Sequence, residues 1–138
     1  MQSILKISDA AAIAIHTADY LTRARRGAKE GAPSTAAEIA AGLGVSYNHL
    51  SKVLQQLTKA GLIKTERGPK GGFALSASGL KGRVKDFIGA IDGPPSPKTC
   101  LLKRKACCYK ACVFGEFLSE TNKRFEKVMN TEISKLGR

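Results

Sequence analysis

Residues 35–61 read TAAEIAAGLGVSYNHLSKVLQQLTKAG. Thr35 and Glu38 stand three apart just ahead of Ile39, Ala40 and Leu43. This is the capping-box arrangement, in which a hydroxyl and a carboxylate satisfy amides left open at a helix start. The short helix they open is stopped by Gly42-Leu43-Gly44-Val45. Ser46 is then placed to cap a second helix, in which Leu50, Val53, Leu54 and Leu57 form one apolar stripe and Gly61 closes the C-terminus. Two helices joined by a tight glycine-containing turn make a helix-turn-helix. Tyr47, Asn48, His49, Ser51, Lys52, Gln55, Gln56 and Lys59 occupy the outward face of the second helix, with no acid among them. Asn and Gln make paired hydrogen bonds to adenine and Lys reaches guanine or phosphate, so this face suits a helix lying in a DNA major groove. The alternative is an ordinary solvated face.

Downstream, residues 62–67 (LIKTER) read as a short strand, Gly68–Gly72 as a tight turn and Phe73–Ser76 as the returning strand. A hairpin directly after a helix-turn-helix is the wing of a winged helix. Arg67 and Lys70, at its base and tip, can reach the sugar-phosphate backbone or the minor groove. Gly68–Gly72 lacks both Walker spacing and a following helix, which argues against a phosphate-binding loop.

Upstream, Ile7, Ala11, Ala14, Ala18 and Leu21 predict a first helix over residues 7–21 with Ser8 as its N-cap, and the basic, Gly- and Pro-containing residues 24–34 predict a loop. Beyond the wing, Leu80, Val84, Phe87, Ile88 and Ile91 predict one amphipathic helix, ended by Gly93-Pro-Pro-Ser-Pro97. Phe114, Phe117, Leu118, Thr121, Phe125, Val128, Met129, Ile133 and Leu136 then approximate a heptad-like stripe, predicting a long helix over about 112–135. Its apolar face calls for the same helix of a second subunit, or alternatively for packing on the first helix. A two-fold homodimer suits a palindromic DNA site. The expected fold is mainly α with a small β-hairpin. A winged helix-turn-helix domain is expected over 1–76, followed by a cysteine loop (100–112) and dimerisation helix within 77–138.

Composition narrows the partners. The chain has 138 residues with 23 Lys and Arg against 11 Asp and Glu, a net charge of +12. With 43% apolar residues it can bury a real core. The charge favours a polyanion, nucleic acid before an anionic membrane surface. No Trp and only 6% aromatics argue against RNA surfaces that stack bases on rings, so double-stranded DNA fits better. No apolar run approaches the ~18 residues of a membrane helix. Residues 10–15 are flanked by Asp9, His16 and Asp19 without a basic leader, so a soluble cytoplasmic protein is expected.

All four cysteines, Cys100, Cys107, Cys108 and Cys112, fall within residues 100–112, which in a cytoplasmic chain reads as metal or redox chemistry. The Cys-x2-Cys knuckle usual in zinc sites is missing. Three or four thiolates can instead hold an iron-sulfur cluster. Lys103, Arg104, Lys105 and Lys110 give this window +4, the largest single share of the net charge, with no acid to offset them. Such cations balance the negative charge of a thiolate-ligated cluster, or serve as further phosphate contacts. With no His or acid spaced beside the thiols for nucleophilic catalysis, an enzyme is not expected.

The order of these elements resembles, over nearly the whole chain, the Rrf-two family of winged-helix transcription regulators, which includes iron-sulfur regulators of the IscR and NsrR types. The likeness is carried by ISDAAAIAI (7–15), GVSYNHLSKVLQQLTKAGLI (44–63), RGPKGGFAL (67–75), FIGAID (87–92), the cysteine spacing and the following long helix. Asn48, His49 and Lys52 look more like the NsrR type. The resemblance implies a homodimeric DNA-binding regulator; the residues read here as its DNA contacts are Ser46, Tyr47, Asn48, His49, Ser51, Lys52, Gln55, Arg67 and Lys70. It also implies a 2Fe-2S or 4Fe-4S cluster whose state, set by nitric oxide, redox state or cluster supply, controls DNA affinity. The implied ligands are Cys100, Cys107 and Cys112, with Cys108 the alternative middle ligand. Gly115 stands where IscR-like members place a fourth, histidine ligand. Asp9 occupies the place of an NsrR-type acid that coordinates the cluster of the other subunit, although an acid in a first helical turn is also favoured by the helix dipole. His16 reads as a core-edge or surface residue. The alternative to a cluster is a thiol-disulfide switch at Cys107 or Cys108.

Overall fold

The first helix, α1, spans Asp9–Gly27 and is opened by Ser8, whose Oγ accepts the Ala11 N–H at 3.1 Å. The computed structural model describes residues 7–27, 32–94 and 112–136; Cys100, Cys107, Cys108 and the cations between them lie outside it. Ala11, Ala14 and Ala18 are buried on α1, and their small side chains let neighbouring helices approach closely. Thr17 and Thr22 are buried too, their hydroxyls satisfied at 2.7 Å by the Ile13 and Ala18 carbonyls. The loop expected from residue 24 begins later, because α1 continues to Gly27. Asp19 pairs with Arg23 at 3.1 Å, Arg25 and Arg26 favour the negative end of the helix dipole, and the Arg26 guanidinium donates to the Ser134 carbonyl.

Helix α2 (Ala36–Leu43) starts at Thr35, whose Oγ1 accepts the Glu38 N–H at 3.1 Å. It ends at Gly44 in the left-handed region (φ 67°), with Gly44 N–H on Ala41 O and Val45 N–H on Ala40 O. Helix α3 (Tyr47–Lys59) follows at once, capped by Ser46. It ends in the same way: Gly61 has φ 77°, its N–H donates to Thr58 O, and Leu62 N–H donates to Leu57 O. Leu50, Val53, Leu54 and Leu57 are all buried, as their spacing predicts.

Strands β1 (Ile63–Glu66) and β2 (Gly72–Leu75) pair antiparallel, Ile63 opposite Leu75 and Glu66 opposite Gly72. A pairing outside the sequence expectation joins them: Ser34 and Phe73 exchange backbone hydrogen bonds of 2.9 and 2.7 Å, fixing the segment before α2 to the wing. This approach requires Gly72, where a Cβ would lie 2.4 Å from the Ser34 carbonyl oxygen.

The single helix expected over residues 80–91 is two. Helix α4 spans Ala77–Lys81 and α5 spans Val84–Asp92, separated by extended backbone at Gly82 and Arg83. The break is stabilised from both sides. Asp86 accepts the Arg83 N–H at 2.8 Å, and the C-terminal segment pairs with the break through Val84 N–H on Thr131 O and Ile133 N–H on Gly82 O, both 3.0 Å.

The same pairing shortens the last helix. In place of about 112–135, α6 runs Gly115–Met129, and Asn130 and Thr131 lead into a 3-10 turn at Ile133–Lys135. Ile133 is fully buried with Met129 in the one core that also holds Ile39, Leu50, Leu54, Leu57 and Phe87. The C-terminus of α6 is therefore anchored in the winged-helix body. No described helix is long and apolar enough to cross a membrane.

Candidate nucleic-acid interface

With its apolar stripe spent on the core, α3 presents the rest of its circumference to solvent. Tyr47, Asn48, His49, Lys52, Gln55, Gln56 and Lys59 are exposed and Ser51 is half-buried. Tyr47 is 57% exposed. Ser46 is exposed beside them, but its hydroxyl already accepts the His49 N–H at 3.1 Å, so its first role is to start the helix that carries the others.

The wing follows α3 directly, because the left-handed turn at Gly61 sends the chain from the helix straight into β1. Lys64, Thr65, Glu66, Arg67 and Lys70 are all exposed. Lys64 and Glu66 pair at 3.8 Å, a solvated contact of little energetic weight. The turn is tight: Gly71 N–H donates to Gly68 O at 2.9 Å, and a Cβ on Gly71 would lie 2.4 Å from the Glu66 carbonyl oxygen. Helix and wing together offer amides, hydroxyls, an imidazole and cations, which is the chemistry that base edges and phosphates need. No described acid lies on α3 itself.

The proposed metal ligands are only partly in view. Cys112 is exposed just before α6, its carbonyl accepting the Gly115 N–H at 3.0 Å. Asp9 is exposed in the first turn of α1. Its neighbour Ser8 donates its N–H to Asp92 Oδ2 at 2.9 Å and its hydroxyl to the same carboxylate, tying the start of α1 to the end of α5. Among the described residues no three His, Cys, Asp or Glu side chains converge, and three of the four cysteines lie outside them. His16 is exposed, as expected of a surface residue. Val113, Phe114, Phe117 and Val128 are exposed along α6, with Val113 at 90%.

A family model described as an iron-dependent transcriptional regulator, Rrf2, matches residues 7–136. An rrf2-like HTH-type transcriptional regulator of Rhodobacter capsulatus is 32% identical over 78 residues, covering 56% of this chain and 50% of the relative. The HTH-type transcriptional regulator IscR of Vibrio vulnificus is 32% identical over 68 residues, 49% of this chain and 40% of the relative. The chain thus spans half or less of the length of these curated relatives. Among solved structures, CymR (YrzC), the global cysteine regulator of B. subtilis, shares the fold with a TM-score of 0.71 at 22% identity, over 96% of this chain and 95% of that one. IscR of T. potens does so with a TM-score of 0.66 at 22% identity, over 94% and 84%. The mainly helical architecture with one antiparallel hairpin is common to them.

Proposed function

The chain belongs to the Rrf2 family of transcription regulators, which are DNA-binding proteins rather than enzymes, and on that premise we propose that it is a cytoplasmic, homodimeric, sequence-specific regulator of NsrR type whose DNA affinity is set by an iron-sulfur cluster. The observation that carries the DNA reading is the acid-free, exposed face of α3, followed in the chain by a wing bearing Arg67 and Lys70. Ser46, Tyr47, Asn48, His49, Ser51, Lys52 and Gln55 are the residues of this interface on the helix.

The donor set suits a cluster: soft thiolates are what iron-sulfur centres take, and the surrounding cations offset their charge. Cys100, Cys107 and Cys112 would hold it, with Cys108 the alternative to Cys107 and Asp9 of the partner subunit the fourth ligand. When bound, such a cluster supplies a redox-reactive centre whose charge changes with its state. The exposed carboxylate of Asp9 and the glycine at position 115 support the NsrR-type ligand set over a histidine one. Asn48, His49 and Lys52 support the same branch. The exposed apolar residues Phe114, Phe117 and Val128 support a partner helix on α6.

The chain's own part in switching is mechanical. Cys112 sits at the foot of α6, whose other end is held in the winged-helix body through Met129, Ile133 and the Val84–Thr131 bond. A shift at the cysteine end therefore moves a helix rooted in the DNA-binding unit, which biases the spacing of two recognition helices across a dimer. The exposed Cys112 thiol favours a second reading, a thiol-disulfide switch without a cluster. Anaerobic purification with visible absorption, iron and sulfide assays separates the two. Iron and sulfide bound together, with absorption bleached by nitric oxide, is the expected result. A colourless, iron-free protein that binds DNA equally well oxidised or reduced would contradict both.

A further inference from the structure

The open face of α3 has an internal order that bears on the DNA sequence it reads. An α-helix advances about 100° and 1.5 Å per residue. On that count Asn48, Lys52, Gln55 and Lys59 lie within about 60° of one another, centred directly opposite the buried stripe of Leu50, Val53, Leu54 and Leu57. His49 and Tyr47 sit roughly 90° round from that line, on opposite flanks. A helix packed by its stripe and inserted into a groove presents the opposite line to the base edges, and its N-terminal turns go deepest.

Chemistry then distinguishes positions along the line. Asn48 and Gln55 carry amides that bond adenine in two places, while Lys52 between them donates to the guanine edge. Asn48 and Gln55 are about 10.5 Å apart along the axis, roughly three base-pair steps of about 3.4 Å. Lys59 is about 16.5 Å from Asn48, in the last turn of α3 and farthest from the N-terminal turns that go deepest. Its ammonium, fully exposed in the last turn of α3, is placed for phosphate at the groove edge.

Resting on the reading of the chain as a DNA-binding dimer, we infer that Asn48, Lys52 and Gln55 specify a half-site with two A·T pairs about three steps apart and a G·C pair between them, and that Lys59 is a sequence-blind phosphate anchor. His49 supports affinity from the flank without setting base preference.

The test is selection from a library of random duplexes with the full chain prepared anaerobically, followed by competition binding with Asn48→Ala, His49→Ala and Lys59→Ala. These side chains are solvent-exposed, so the variants keep the core intact. The enriched half-site should carry the A·T, G·C, A·T pattern. Asn48→Ala should lose preference at one A·T position only, by about fivefold to 100-fold. Lys59→Ala should weaken all sequences alike and lower the salt slope by about one per protomer, and His49→Ala should leave the pattern unchanged. Enrichment of a different pattern, an Asn48→Ala preference identical to the parent, or a Lys59→Ala change confined to one base pair would overturn the assignment. Failure of the unmodified chain to enrich any duplex would overturn the DNA reading beneath it.

Discussion

Replacing Ile133 by alanine tests whether the segment after α6 is anchored in the core. Ile133 is fully buried, although it lies beyond the end of α6 and four residues after Met129. Were the helix to continue, Ile133 would stay on the face of Met129 and its N–H would bond the Met129 carbonyl. In the structure it fills the shared core while its N–H holds Gly82 O at 3.0 Å. Truncating a fully buried Ile costs about 2–5 kcal/mol. Against a total of about 5–15 kcal/mol for a domain, this is a large fraction. At about 3–5 °C per kcal/mol for a chain of this size, the midpoint should fall by on the order of 10 °C. Val128→Ala, at a position 59% exposed, should cost the isolated body under about 1 kcal/mol. Urea unfolding followed by circular dichroism, at one fixed protomer concentration, reads both. An Ile133→Ala protein within about 0.5 kcal/mol of the parent, or less affected than Val128→Ala, would refute the anchoring of the C-terminus in the core.

Other positions give independent checks. Gly72→Ala places a methyl 2.4 Å from the Ser34 carbonyl at a φ of 153°. It should cost about 1–3 kcal/mol and abolish hydrogen-exchange protection at the Ser34 and Phe73 amides. Thr35→Ala removes the acceptor of the Glu38 N–H and should destabilise the fold by about 1 kcal/mol, with Thr35→Ser restoring most of it in the same unfolding assay. Among the cysteines, Cys107→Ser should strip iron and sulfide from the anaerobic protein while Cys108→Ser leaves them in place; the reverse pattern would move the middle ligand to Cys108.

What the sequence discloses here is whatever local chemistry decides. Thr35, Gly44, Ser46 and Gly61 each stand at a helix end with bonds to residues three or four away, so both helices of the helix-turn-helix are legible, their starts most sharply. The open face of α3 is legible for the same reason, being the complement of a stripe that the core consumes. The breaks further along are only partly local, Asp86 capping the Arg83 N–H at one of them. Leu80 and Val84 are four apart, as are Met129 and Ile133, so helical periodicity runs unbroken through two places where the chain leaves the helix. Each break is also held by the other: Gly82, Arg83 and Val84 pair with residues 131–133, far away in sequence. The Ser34–Phe73 pairing hides likewise, a one-residue bridge between segments that carry no strand signal of matching length. Of the proposed metal ligands, Cys112 and Asp9 are exposed, while Cys100, Cys107 and Cys108 lie outside the described residues.

On the proposed reading one cluster governs one DNA affinity, and the decisive experiment titrates a single selected duplex with the same anaerobic preparation before and after its iron is removed. Fluorescence anisotropy at fixed salt should show affinities differing by at least about tenfold, an allosteric coupling of roughly 1.4 kcal/mol, with the change reversed when iron and sulfide are restored. Equal affinity in the two states, from a preparation shown to have held iron and sulfide, would contradict it.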